Sequence, residues 1–142
     1  GFIGPKILTE DNIVNGSGLV FYRNKFRIMF NNNLDSAGYS NNLATQSNTT
    51  AITKDVVCIR RSVFEKEIKL FNVNYPNSYL IDACIKLHKK NIRTVFFPQL
   101  KIITSKIKNI DTENKEIQHK IKRDFYLNSN IKINKYNQFL LK

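Results

Sequence analysis

The chain has 142 residues, which suits one domain or part of a larger one. It is 42% hydrophobic, which excludes wholesale disorder, and no run of about 18 apolar residues occurs, which excludes a membrane-spanning helix. Twenty-three Lys and Arg against 11 Asp and Glu give a formal charge of +12, which suits an anionic partner: nucleic acid, an anionic membrane surface or a phosphorylated substrate. Lys, Asn and Ile are spread throughout, so composition bias raises the charge without selecting a ligand.

Gly1 to Lys6 lacks a charged region followed by an apolar run, so it does not read as a signal peptide. With no initiator Met, the chain reads as a piece of something longer. Phe2 to Leu8 reads as a short strand ending near a Gly4-Pro5 turn, Asp11-Asn12 as a turn, and Ile13-Val14 as the start of another strand. Leu19 to Tyr22 is β-rich, and Phe26 to Phe30 alternates with period two. Residues 31–50 are polar and rich in turn formers, which predicts a long loop, either a binding loop or an insertion.

Ala51 to Ile59 reads as one buried strand around Val56-Val57-Cys58-Ile59. Arg60-Arg61 follows, then Ser62 with Glu65 three residues on, a capping-box pattern that opens a helix near 62–70. In Ser78 to Asn91, Leu80, Ala83, Cys84 and Leu87 form an apolar helical stripe. Lys86, His88, Lys89 and Lys90 load its C-terminal end, and Asn91 suits a left-handed stop. Thr94 to Phe97 reads as a buried strand ending at Pro98, with an extended continuation to Ile103. Residues 101–142 hold ten Lys and Arg against four Asp and Glu. Ile117, Ile121 and Phe125 predict an amphipathic helix over 112–128. The tail suits peripheral contact with anionic lipid.

Cys58 and Cys84 both lie in apolar contexts and read as buried free thiols in a reducing compartment. No Cys-x-x-Cys occurs, and His88 and His119 are far from either cysteine in sequence, so no zinc site is expected. Both histidines read as solvated helix residues.

Three blocks carry a resemblance: Ile3-Gly4-Pro5-Lys6-Ile7-Leu8; Val56 to Phe64 with Arg60-Arg61; and Asp82 to Leu87 followed by Lys90 to Pro98. In this order and spacing they resemble the C-terminal half of family 2 glycosyltransferases, inverting enzymes of the GT-A fold, especially the rhamnosyltransferase-like branch. The resemblance implies an α/β fold for residues 1–105: a partial, Rossmann-like GT-A domain with a mixed sheet flanked by helices. A basic helical tail over 106–142 completes the expected organisation. It implies sugar transfer from a nucleotide-sugar to a glycan or lipid-linked acceptor in cell-surface polysaccharide synthesis. The expected location is cytoplasmic, either free or peripheral at the inner face of the membrane.

Inverting transfer needs a carboxylate base for the acceptor hydroxyl and cations on the leaving diphosphate. By alignment, Tyr79 and Leu80 stand where the family has Glu-Asp, and the family's late His falls near Thr104 or Ser105. Asp82 is then the helix carboxylate left as catalytic candidate, either a displaced base or an acceptor contact; the competing reading is a first-turn acid favoured by the helix dipole. Arg60 and Arg61 are candidates for binding a diphosphate or phospholipid-linked acceptor, or form a surface pair bonded to Glu65 or Glu67. Tyr79 is a candidate for lining an acceptor pocket. The family's Asp-x-Asp metal motif does not occur, so Mn²⁺ or Mg²⁺ is expected only alongside a preceding nucleotide-binding half. Two other readings compete: a catalytically inactive remnant or binding module on the same scaffold, and a basic nucleic-acid-binding protein. The last rests on charge alone and ranks last, because aromatics are not interleaved with the basic residues.

Overall fold

The computed structural model describes residues 1–16, 18–22, 25–28, 43–53, 55–74 and 78–105. The expected helix over 112–128, the tail and residues 31–42 of the polar segment lie outside these. Strand β1 (Phe2–Thr9) is central to a five-stranded mixed sheet. Gly4-Pro5 lies inside it, not at a turn. The turn comes later, where Asn12 takes a left-handed φ of 58° and its N–H donates to Thr9 O at 3.0 Å. Asn tolerates that conformation better than most side chains. Strand β2 (Val14–Gly16) then returns antiparallel to the second half of β1, with Ile7 opposite Gly16 and Leu8 opposite Val14.

β3 (Gly18–Tyr22) and β4 (Lys25–Ile28), at the two β-rich runs, form an antiparallel pair. β5 (Ser47–Thr49) lies in the predicted loop, and β6 (Ala51–Ile52) joins β3 and β4 in a second, three-stranded sheet. The Thr49 hydroxyl fixes the corner between the sheets. Its Oγ1 lies 2.7 Å from Leu19 O and 3.0 Å from Ala51 O, both ordinary hydrogen-bond distances.

The strand expected over 51–59 is broken. Its far end, β7 (Cys58–Ile59), pairs instead with the start of β1, through Phe2 opposite Ile59 and Ile3 opposite Cys58. Paired residues share a sheet face. Phe2 and Ile59 pack into the core, so Cys58 shares the outer face with the exposed Ile3. Cys58 is therefore exposed, against the sequence expectation, while Cys84 is buried as expected.

Helix α1 (Arg61–Val63) widens into a π-helical segment, Phe64–Ile68. The capping box does not form. The first helical N–H bonds go to Arg60 O, from Val63 at 2.9 Å and Phe64 at 3.1 Å, which puts the cap at Arg60 and Ser62 inside the helix. Glu65 is then four residues from Arg61 and bonds it instead.

Helix α2 (Tyr79–Lys89) follows its predicted stripe, burying Leu80, Ile81, Ala83, Cys84, Ile85 and Leu87 against Phe2, Leu19, Ala51, Ile52 and Ile68. It stops at Asn91 with φ 59°. Asn91 N–H donates to His88 O and Ile92 N–H to Leu87 O, both at 2.9 Å, the paired bonds of a Schellman motif.

β8 (Thr94–Thr104) runs parallel to β1, from Ile3 opposite Val95 to Thr9 opposite Thr104. The register jumps from Pro5–Phe97 to Lys6–Lys101, so Pro98, Gln99 and Leu100 bulge out. Neither Pro5 nor Pro98 has an N–H to give, so the ladder breaks where the two prolines meet. β5 closes the outer edge of β8 at Thr94–Phe96. The result is a mixed α/β architecture with a mixed sheet and two short helices.

Candidate functional site

The candidates fall on two elements. Arg60 ends β7 in an extended conformation (φ −64°, ψ 127°) and is exposed. Its guanidinium lies near Gly1, at the start of β1. Arg61 is exposed, and its Nε donates to Glu65 Oε1 at 2.6 Å. A pair so exposed contributes only about 0.3–0.5 kcal/mol and is easily exchanged for an anionic ligand.

Tyr79 and Asp82 lie three residues apart on α2, hence on neighbouring helix positions. Tyr79 is half-buried and stacks edge-on against Phe71, with centroids 4.9 Å apart. Phe71 in turn packs on Phe64 at 5.5 Å. This column of three rings ties the segment after Arg60-Arg61 to the start of α2. Asp82 sits in the first turn with its side chain 18% exposed, and Oδ2 lies 2.8 Å from Lys86 Nζ. That approach is close but poorly aligned: Oδ2 is shielded from solvent and accepts no directed hydrogen bond. An ammonium thus occupies the carboxylate that a base must offer to a hydroxyl.

The structure brings Tyr79 and Asp82 together on one helix and links them through the rings to the element that carries Arg60 and Arg61. Among the described residues no hydrogen bond or ion pair joins the two sets. Leu80 points into the core, so that position cannot present a carboxylate to a substrate. Of Thr104 and Ser105, the two places to which the resemblance assigns a late His, Thr104 is half-buried at the end of β8 and Ser105 is exposed.

Three features escaped the sequence reading. His88 is not solvated: it is half-buried, with Nε2 3.1 Å from Thr49 O, which assigns the ring hydrogen to Nε2. Lys6 is only 3% exposed inside β1, signalled only by a cation in an otherwise apolar run. Glu67 of the π segment accepts a bond from Lys90 beyond α2, which holds its carboxyl below the usual glutamate range. Cys84 is no nucleophile; burial, as the largest cause, pushes its thiol up to about 11.

Among the described residues, no group of three His, Cys, Asp or Glu side chains could hold a metal ion, and no helix is long and apolar enough to cross a membrane. Comparison of the chain with protein-family models, curated proteins and solved structures finds no match.

Proposed function

We propose that the chain is the acceptor-side part of an inverting glycosyltransferase of the GT-A type. One observation supports this most. The three blocks, far apart in sequence, fold into a single unit: β1 with Gly4-Pro5-Lys6 lies between β7, which leads into Arg60-Arg61, and β8, which follows α2. In this reading Arg60 and Arg61 meet the phosphates of a lipid-linked or nucleotide-linked substrate, a task suited to planar guanidinium groups. Tyr79 offers a ring to the acceptor sugar. Asp82 leaves Lys86 to accept the proton of the acceptor hydroxyl, whose oxygen bonds the anomeric carbon as the diphosphate departs. A donor half preceding Gly1 would supply the nucleotide site and any metal.

The Asp82–Lys86 pair favours a second reading, a binding module that holds the same ligands without turnover. One assay separates them: release of nucleoside diphosphate from a panel of nucleotide-sugars, with Mn²⁺, by the protein isolated at its natural length. Catalysis predicts turnover that falls about a hundredfold or more in Asp82→Asn. Retained sugar binding with no release from any donor supports the module. An upstream sequence without an Asp-x-Asp counts against the transferase.

A further inference from the structure

Leu70 is 81% exposed and Val73 is 87% exposed, the highest values among the exposed large hydrophobic side chains of the described residues. Both belong to the short loop between the π segment and α2. The backbone holds them outward at a cost. Lys69 has φ 62° and ψ −62°, and Leu70 N–H donates to Ile68 O at 2.7 Å. This is a γ-turn of the rare, strained kind, on a residue with a side chain. The turn throws Leu70 out and lets Phe71 fold back onto Phe64 and Tyr79. Asn74 N–H then bonds Asn72 Oδ1 at 3.1 Å, and Val73 is left outside again. Lys66 and Lys69 precede the tip in sequence; both are exposed, and neither forms an ion pair among the described residues.

We propose that this loop is a lipid wedge that seats the protein on an anionic bilayer, with Leu70 and Val73 entering the boundary between headgroups and acyl chains and Lys66 and Lys69 meeting lipid phosphates. Charge complementarity selects the occupant. Two protruding aliphatic side chains beside two exposed lysines match an interface that is apolar below and anionic at its surface. A protruding tip also suits a fluid layer that closes around it better than a preshaped protein pocket. The proposal does not depend on the transferase reading, and it places membrane contact on the folded domain instead of the basic tail.

The chain contains no Trp, so Val73→Trp introduces a single reporter. Phosphatidylcholine vesicles with phosphatidylserine should shift its emission to the blue, and bromine near the headgroup end of the acyl chains should quench it. Vesicles of phosphatidylcholine alone should do much less. The double variant Leu70→Ser, Val73→Ser should lose about tenfold or more in partitioning. Lys66→Gln and Lys69→Gln should each lose about fivefold, the equivalent of about 1 kcal/mol per lysine at an anionic surface. All four positions are exposed, so circular dichroism should be unchanged. The idea is overturned if vesicles bind while the introduced indole keeps its aqueous spectrum, which would move the contact to the tail, or if no vesicles bind. A blue shift that grows with protein concentration in the absence of lipid would make a second copy the occupant and overturn it too.

Discussion

Cys58 and Cys84 are the chain's two thiols, and their surroundings set them apart. Cys58 lies exposed on a two-residue edge strand, while Cys84 is sealed in the core and stays protonated well above neutral pH. An aromatic disulfide reagent should therefore titrate one thiol per native chain, and two only in denaturant; two fast thiols in the native protein would show that α2 is not packed as described. Both cysteines sit in apolar runs, so the sequence makes them look alike. What distinguishes them is the partner: Cys58 opposite Ile3, Cys84 facing β6 and Thr94. The same holds at the candidate site. The four-residue spacing of Asp82 and Lys86 can be read from the sequence, and so can the shared helix of Tyr79 and Asp82. The ring column cannot, because Phe71 reaches Phe64 and Tyr79 only through the unusual backbone at Lys69.

At the scale of elements, α2 is the most fully determined piece. Its stripe specifies the buried face, and its end is fixed by the Asn91 conformation together with Ile92, which packs back on the core. Asn91→Val places a β-branched residue at positive φ and should cost roughly 1–2 kcal/mol, read as a lower urea midpoint with unchanged slope. Asn91→Gly should be tolerated, since glycine adopts the same angles freely. The strands were less legible. β5 hides in a polar segment because its order comes from pairing with Phe96, Val95 and Thr94, and only Thr49 of its three residues is buried. The apolar run before Arg60 misled in the opposite direction. Its hydrophobicity suggests one buried strand, yet its two ends serve different sheets, and Val56 between them is exposed.

At the scale of the whole molecule, the two sheets approach closely at Gly4. A Cβ on Gly4 would lie 2.8 Å from Ile52 Cγ2, so β1 and β6 meet where only glycine fits. Gly4→Ala should cost about 1–3 kcal/mol through overpacking. Ile52→Ala, which removes the Cγ2 that a side chain on Gly4 would meet, should cost less in the Gly4→Ala background than alone, because the two residues share the contact; strictly additive effects would place the strain elsewhere. Helix α2 followed by a strand from Thr94 was readable from periodicity, while the mixed α/β class came from the resemblance. The second sheet was not readable, because the corner at Thr49 is set by one hydroxyl rather than by any pattern.

The pairing of β1 with β8 has a consequence in time. About ninety residues separate Ile3 from Val95, its neighbour across the ladder. During synthesis at about 5–20 residues per second, β1 would wait roughly 5–20 s for its parallel partner to be made. Its antiparallel neighbours β2 and β7 come off the ribosome earlier, but each covers only part of its length. The nascent chain thus carries an apolar strand with one side unpaired until the last described strand is made. Such a long-range pairing closes late and should slow folding relative to a chain held by local contacts.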